Sequence, residues 1–197
     1  VAQIGRALGM KVRVHTPEGE AGPEVLAAIE AGAERIAHRA GYNSVIVKRA
    51  EDDARATGYG HIPFGMECEE AVTQTAGSFG NVAELFYKTK DLKRLVVPVG
   101  SGMSLCGILE ASERLEGELP ILGIVVGADP LRRLDRFAPM RQFGQRLDLV
   151  PAGVDYHTKV EATVGPVKLD PVYEAKCVKF LRPGDLLWVV GIRQTAL

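Results

Sequence analysis

The stretch "VGSGMSLCG", Val99 to Gly107, joins an apolar run to a segment with helical character. Its glycines allow positive φ angles and let the backbone come close to a ligand. The first amides of the following helix point unpaired donors outward, and the helix dipole favours an anion there. Ser101 and Ser104 add hydroxyl donors. The stretch therefore predicts a phosphate- or carboxylate-binding loop, with a tight, ligand-free strand-to-helix turn as the alternative.

Two well-known glycine motifs do not describe this loop. A P-loop needs Lys after its last glycine, but Gly107 is followed by Ile108. A GxGxxG motif needs a third glycine at position 105, where the chain has Leu105. The loop contains no Lys or Arg, so an anion bound there is expected to meet mainly neutral donors.

A second group of reactive side chains lies in "LDPVYEAKCVKFL". Asp170 is suited to cap a helix, and Pro171 is suited to its first position. Tyr173 and Glu174 then fall in the first helical turn, near the same edge of the expected sheet as the glycine loop. Their placement makes both residues candidates for contact with a ligand held by the loop. The alternatives without a ligand are a half-buried aromatic side chain on a packed helix at Tyr173, and at Glu174 a solvated carboxylate that the helix dipole favours.

Metal chemistry has little support in the sequence. The three cysteines form no CxxC pair, and the four histidines are scattered without ligand spacing. The segment "GVDYHTK" is interpreted as a loop near the site. It carries Asp155, Tyr156 and His157, and His157 is the one histidine that is a candidate for a role.

Composition narrows the class of protein. Of 197 residues, 46% are hydrophobic and 25% are charged, as in globular proteins with a full core. The net charge of -1 gives no support to nucleic-acid binding. No apolar run approaches the roughly 18 residues needed to span a membrane. With no signal peptide and an odd number of cysteines, the chain is predicted to be cytoplasmic.

The second half of the chain alternates strands and helices. The run "RLVVPV" is almost continuously apolar, as expected for a strand buried on both faces of a parallel sheet. This alternation predicts an α/β fold: an open, mostly parallel sheet with helices on both faces. The expected strands are 94–99, 120–127, 146–151 and 185–190, and the expected helices are 102–115, 130–137 and 170–181.

The first half follows the same pattern with shorter elements. A helix over 43–58 is expected to be capped by Asn43 or Ser44 and to end at Gly58. The segment "YGHIPFG" is interpreted as a short strand before a long helix from Cys68 to Lys88. We expect residues 1–65 to form part of a smaller lobe, and 66–197 a larger lobe with the glycine loop, unless the two make one continuous domain.

Taken in order, four segments resemble one family. They are "VAQIGRALGMKVRVHTPEG", "HIPFGMECEEAV", "VVPVGSGMSLCGIL" and "LDPVYEAKCVKFL". They are similar to segments of pyridoxal-phosphate enzymes of the tryptophan-synthase-β type, also called fold type II. Within these, the resemblance is to the aminocyclopropane-carboxylate deaminase and D-cysteine desulfhydrase branch. It spans nearly the whole chain.

The resemblance implies pyridoxal 5'-phosphate as cofactor and a small amino acid as substrate, with deamination or a related lyase reaction. Tyr173 would lie beside the substrate, and Glu174 would face the pyridine nitrogen and keep it protonated. The family is usually dimeric, so a homodimer is expected. Five residues would wrap the cofactor phosphate: Gly100, Ser101, Gly102, Met103 and Ser104.

The sequence also departs from this family. The "GNKxRK"-like segment that carries the Schiff-base lysine is absent, and Lys176 matches a different family lysine. Met103 replaces a glycine and is expected to place a side chain close to the phosphate. The family's "HTGG" is here "GIRQ", which introduces Arg193. We therefore expect a deaminase-like chain that is incomplete or inactive by itself, with any pyridoxal phosphate bound non-covalently.

Two other functions remain open from the residues. The first is a non-enzymatic descendant of this fold that binds a phosphorylated small molecule or an interaction partner. The second is another phosphate-handling α/β enzyme, such as a nucleotide- or phosphoribosyl-modifying enzyme. The second needs an acidic pair before the loop, and "LVVPVG" has none.

Overall fold

The computed structural model describes residues 1–39, 41–89, 91–114, 119–139 and 146–190. The chain divides into two compact units, Val1–Phe64 and Gly65–Leu197. Each unit has its own parallel sheet. No helix within the described ranges is both long and apolar enough to cross a membrane.

The first unit contains a two-stranded parallel sheet and three helices. The helix over 43–57 ends at Gly58, which adopts a left-handed φ of 73°, as predicted. Its start is different, because Tyr42 is the cap residue and makes no side-chain cap hydrogen bond. The elements are α1 Ala2–Ala7, β1 Arg13–Pro17, α2 Pro23–Glu30, β2 Glu34–His38 and α3 Asn43–Thr57.

The strand predicted at "YGHIPFG" is wrong. Residues 59–63 form no strand, and Phe64–Met66 forms a single 3₁₀ turn. Gly65 has a φ of 69° there, and Met66 is also left-handed at 56°. A proline and several glycines in eight residues favour a turn over a sheet ladder.

The strands of the second unit are β3 Arg94–Val99, β4 Ile121–Val125, β5 Leu147–Pro151, β6 Thr163–Val164, β7 Val167–Lys168 and β8 Asp185–Leu187. Four of them form a sheet in the order β5-β4-β3-β8, parallel throughout. The fold class predicted from the sequence is confirmed. A small antiparallel hairpin, β6 with β7, was not expected and turns through Gly165. The α-helices of this unit are α4 Glu69–Tyr87, α5 Met103–Arg114 and α6 Leu131–Phe137.

The helix predicted over 170–181 is shorter and of a different kind. It is a 3₁₀ helix, Glu174–Phe180. Tyr173 has a ψ of -84°, outside the helical range, so the turn before it cannot continue into an α-helix. The Asp170 carboxylate instead accepts hydrogen bonds from the amides of Val172 and Tyr173 at 2.8 and 2.9 Å, which closes a separate turn.

Strand β3 is buried on both sides. Leu95 and Val97 pack into one core cluster with α4 and α5, and Val96 packs into a second cluster on the other face. All three are 0% exposed, in the alternation that a strand requires. The end of β3 is therefore fixed by packing from both faces, and the glycine loop starts from that fixed point.

Candidate functional site

A cavity of about 330 Å³ lies in the second unit, beside the carboxyl end of β3. Ligands of parallel α/β sheets bind at this end of the strands, and the volume suits a small molecule. The cavity brings together the two groups of residues singled out in the sequence. It is lined by Pro98, Gly100, Ser101, Gly102, Ser104, Leu105, Asp170, Tyr173, Glu174 and Val190.

The glycine loop forms one wall. A Cβ on Gly100 would lie 2.7 Å from Tyr173 Cε1, so only glycine leaves room for the tyrosine ring. Gly102 has a φ of +89° and packs against Pro130. The first hydrogen bond of α5 runs from the Cys106 amide to the Gly102 carbonyl at 2.9 Å. The amides of the preceding first turn are thus placed at the loop as donors for an anion.

Met103 departs from its expected position. Its side chain is 4% exposed and packs in the main hydrophobic core, and it is not among the residues lining the cavity. The expectation that it places a side chain close to the phosphate is wrong. At the first position of α5 the side chain follows the buried face of the helix, because the surrounding positions Leu105 and Cys106 are core residues as well. The cavity therefore stays open at the loop.

Glu174 is a buried carboxylate that also lines the cavity. It is 2% exposed, so the alternative of a solvated first-turn carboxylate is wrong. Its Oε1 accepts a hydrogen bond from the Val190 amide at 3.1 Å. The Asp170 turn and the start of the 3₁₀ helix hold Glu174 there. A carboxylate kept from water favours a positively charged group opposite it.

Tyr173 is half-buried between the loop and a second tyrosine. Its hydroxyl lies 2.9 Å from the Tyr156 hydroxyl, and the two rings meet edge to face at 81°. Tyr156 belongs to the segment that the sequence suggested as a loop near the site. His157, the histidine singled out there, packs its ring on Tyr156 at 5.1 Å and is not among the lining residues.

No lysine occurs among the described residues that line the cavity. Lys176, three residues after Tyr173, is 2% exposed and its Nζ donates to the carbonyls of Asp155 and Tyr156 at 2.9 and 2.7 Å. Burial lowers the pKa of Lys176, and the charges of Asp155 and Asp170 oppose that shift. Arg193 lies outside the described residues.

Two of the three cysteines, Cys106 and Cys177, are buried free thiols. Burial raises the pKa of the Cys106 and Cys177 thiols to about 12, and the Glu174 charge adds to the shift at Cys177. Neither thiol is a thiolate near neutral pH, so neither is an activated nucleophile. Across the described ranges, no group of three or more His, Cys, Asp or Glu side chains is arranged to hold a metal.

The structure thus brings Gly100, Ser101, Gly102 and Ser104 together with Tyr173 and Glu174 in one cavity. Sequence reasoning missed the partners of these residues. Asp170 lines the cavity as well as capping the turn, and Tyr156 reaches Tyr173 from a distant loop. Asp170 was indicated by its cap signal, but only as a cap and not as a lining residue, and no local pattern indicates the tyrosine pair.

Comparisons with known proteins address the fold. No family model matches the chain. No curated protein matches it either. Among solved structures, an ACC deaminase homologue superimposes with a TM-score of 0.72 at 20% sequence identity, over 94% of this chain and 67% of that one. The chain has the fold of this homologue. The fold type II resemblance predicted from the sequence is confirmed at that level.

A second solved structure is the processed form of threonine deaminase isoform 2 from Solanum lycopersicum. It matches with a TM-score of 0.50 at 17% identity, over 96% of this chain. The chain spans 48% of that protein's length. At these sequence identities the similarity shows the deaminase-like fold and does not assign the activities of the two proteins to this chain.

Proposed function

We propose that the cavity binds pyridoxal 5'-phosphate, and that the protein is a deaminase-like member of this fold acting on a small amino acid. One observation carries the proposal: the glycine loop with its two serines and a buried carboxylate, Glu174, line the same small cavity. The cofactor has a phosphate at one end and a basic ring nitrogen in its ring, so it matches both walls. The deaminase-like fold supports the same assignment.

The residues present fit this cofactor. Ser101, Ser104 and the first amides of α5 would hold the phosphate, because they are the neutral donors that line the cavity. Glu174 would accept a hydrogen bond from the protonated ring nitrogen. When bound, the cofactor supplies an electron sink that stabilises negative charge at the substrate's α-carbon. A buried carboxylate at the ring nitrogen strengthens that withdrawal.

Tyr173 is the proposed proton-transfer residue. Its hydroxyl is fixed by the Tyr156 hydroxyl at 2.9 Å, and its ring lies against Gly100, beside the phosphate wall. From that position the phenol can give a proton to, or take one from, a substrate held in the cavity. Glu174 cannot serve this role as readily, since one of its oxygens already accepts the Val190 amide.

The absence of lysine among the described lining residues gives a second candidate function. A protein that holds pyridoxal phosphate reversibly, without turnover, fits the same geometry. In both cases we propose non-covalent binding, because no lysine occurs among the described lining residues. We further propose a cytosolic homodimer, supported by the free buried thiols and by the family resemblance.

Absorbance titration with pyridoxal 5'-phosphate tests the proposal, with pyridoxal as the ligand that lacks the phosphate. We expect reversible binding, at least about tenfold tighter for the phosphate form. Borohydride followed by intact-mass measurement should leave the protein mass unchanged. Equal binding of the two ligands, or no binding of either, would refute the phosphate assignment. A borohydride-fixed adduct would show a reactive lysine and refute non-covalent binding.

Glu174→Gln separates the ring-nitrogen role from general damage. It keeps the side-chain shape but removes the charge, so we expect about tenfold weaker binding of pyridoxal 5'-phosphate. Inorganic phosphate should compete as well against the variant as against the wild type. Glu113→Gln, an exposed position on α5, is the matched control and should bind like the wild type. Equal affinity of Glu174→Gln and the control would remove Glu174 from the site.

A further inference from the structure

Lys176 is a buried cation whose ammonium group is hydrogen-bonded to the backbone of a distant loop. Its side chain is 2% exposed, and its Nζ donates to two successive backbone carbonyls, those of Asp155 and Tyr156. Burying an ammonium costs free energy unless it is well hydrogen-bonded. The two bonds, at 2.9 and 2.7 Å, therefore connect the 3₁₀ helix to the loop that follows β5.

The same loop carries the tyrosine that contacts Tyr173. The Tyr156 hydroxyl lies 2.9 Å from the Tyr173 hydroxyl. The Lys176 ammonium lies 5.7 Å from the centre of the Tyr156 ring, a cation–π distance. Lys176 thus contacts Tyr156 through both its backbone and its ring, while Tyr156 contacts the cavity wall.

Local structure alone does not fix this loop to the helix. The Thr158 amide donates to the Asp155 carbonyl at 3.1 Å, which closes a four-residue turn within the loop. Gly153, with a φ of 71°, lets the chain turn away after β5. These features shape the loop, and the Val160 amide, which donates to the Pro171 carbonyl at 2.9 Å, ties its later part to the turn before the helix. The bonds from Lys176 hold Asp155 and Tyr156 themselves against the helix, across about twenty residues of sequence.

We propose that Lys176 is a positioning residue: by holding the carbonyls of Asp155 and Tyr156, it keeps the Tyr156 hydroxyl on Tyr173 and so orients Tyr173 at the cavity. Lys176 is not among the residues that line the cavity, so it acts through Tyr156. The consequence for ligand binding rests on the proposed function. The positional link itself is measurable without any ligand.

The protein has five tyrosines, so ¹³C-tyrosine NMR of the whole chain is simple to read. Tyr173→Phe assigns the Tyr173 signal. Tyr156→Phe should shift that signal, because it removes the hydroxyl pair. Lys176→Met should shift it similarly, and adding Tyr156→Phe to Lys176→Met should move it no further. Lys48→Met, at an exposed position of α3 in the first unit, should leave it unchanged.

Two results would overturn the proposal. One is a Tyr173 signal that stays in place in Lys176→Met while the melting temperature falls, which means a purely stabilising role. The other is additive shifts in the double variant. If Lys176→Met does not fold, NMR of the wild-type protein provides the test. We expect a slowly exchanging Lys176 ammonium signal with cross-peaks to the Tyr156 ring, and the absence of this signal would refute the link. Lys176→Gln, which retains two donors, should restore part of the wild-type signal.

Ligand titration then tests the consequence separately. We expect Lys176→Met and Tyr156→Phe each to weaken pyridoxal 5'-phosphate binding by about threefold to tenfold, without further loss when combined. If the wild type binds no pyridoxal phosphate, the proposed function fails while the tyrosine coupling can still hold. If the wild type binds and the tyrosine signals are uncoupled, the positioning role fails and the proposed function stands.

Discussion

The two units bury their sheets to different extents. In Gly65–Leu197, Leu95, Val96 and Val97 of β3 are fully buried. In Val1–Phe64, no residue of β1 or β2 reaches that state; all are half-buried or exposed. Large apolar side chains in α1 and at its C-terminal end are exposed as well: Ile4 is 64% exposed, and Leu8, which follows the helix, is 68% exposed. Among the residues that the structure describes, a core that covers both faces of a sheet is found in the second unit and not in the first.

The first unit relies more on polar contacts. Arg13 donates to Asp53 at 2.9 Å and to Glu34 at 2.8 Å, and His15 and His38 bond to each other at 2.8 Å. Burial lowers the pKa of His38, and the nearby His15 and Arg49 add to the shift. A groove of about 1070 Å³ runs along β1. The candidate site therefore lies in the unit whose geometry is set by packing, which suits a site that needs fixed distances between its residues.

Matched valines test this difference most strongly. Val97→Ala in β3 removes two buried methyl groups and should lower the free energy of unfolding of the second unit by about 3 kcal/mol. Val14→Ala in β1 removes the same groups from a half-buried position and should cost its unit less than about 1 kcal/mol. Native-state hydrogen exchange reports each unit separately, through the strand amides.

Similar losses of unfolding free energy in Val97→Ala and Val14→Ala would contradict the difference in burial between the two sheets. Such a result would mean that β1 is buried in solution to the same extent as β3. A Val97→Ala loss confined to neighbouring amides, with distant β4 amides unchanged, would instead show that the second unit does not unfold as one cooperative core.

The Arg94–Asp185 pair gives a smaller, pH-dependent test. Burial would raise the pKa of Asp185, but hydrogen bonds from Arg94 and the Arg182 amide outweigh it and the pKa is lowered. The pair is 2.5 Å apart, and the Asp185 side chain is 4% exposed. A lowered folded-state pKa gives stability that is present above the unfolded pKa of about 3.9 and is lost as pH falls through the folded value.

Asp185→Asn should therefore lower the free energy of unfolding by about 2 kcal/mol at pH 7, because it leaves Arg94 unpaired. The gap to the wild type should narrow below about pH 4, as the wild-type carboxylate is protonated. Urea unfolding of the wild type and the variant at pH 7 and pH 3 measures this difference in the free energy of unfolding. Asp52→Asn is the contrast from the first unit: its pairs with Lys48 and Arg55 are exposed, and little change is expected. A pH-independent loss at Asp185 would contradict the assignment.

Much of the second unit was predictable because its signals are local. The apolar run of β3 and the glycines after it gave the strand, the loop and the following helix. Asp170 was predicted to cap a helix, and in the structure its carboxylate instead closes the turn that places Tyr173 and Glu174. In the first half, the breakers at Gly60 and Pro63 were outweighed in the sequence reasoning by an apparent strand pattern, which the structure does not contain.

The rest depends on contacts between distant residues. Nothing near Tyr156 indicates that its hydroxyl meets Tyr173, seventeen positions later, because the intervening chain turns through a hairpin. Lys176 is a residue type normally found at the surface, and its burial depends on two carbonyls of another segment. Met103 was misplaced for the same reason: the side of α5 that faces the core is decided by its packing against α4 and the sheet.

Two glycines in the long helices α4 and α5 test the packing of the second unit, with the smallest expected effects. A Cβ on Gly107 would lie 2.7 Å from the Val72 carbonyl oxygen and 2.5 Å from Thr75 Cβ, so α5 touches α4 there. Gly107→Ala should destabilise the unit by about 2 kcal/mol. A Cβ on Gly77 of α4 meets nothing within 4 Å, so Gly77→Ala should stabilise by about 0.5–1 kcal/mol through helix propensity. Thermal unfolding of the two variants should thus move in opposite directions. If Gly107→Ala is neutral, α4 and α5 can separate without loss, and the fixed packing that positions the glycine loop is not as rigid as the burial of β3 implies.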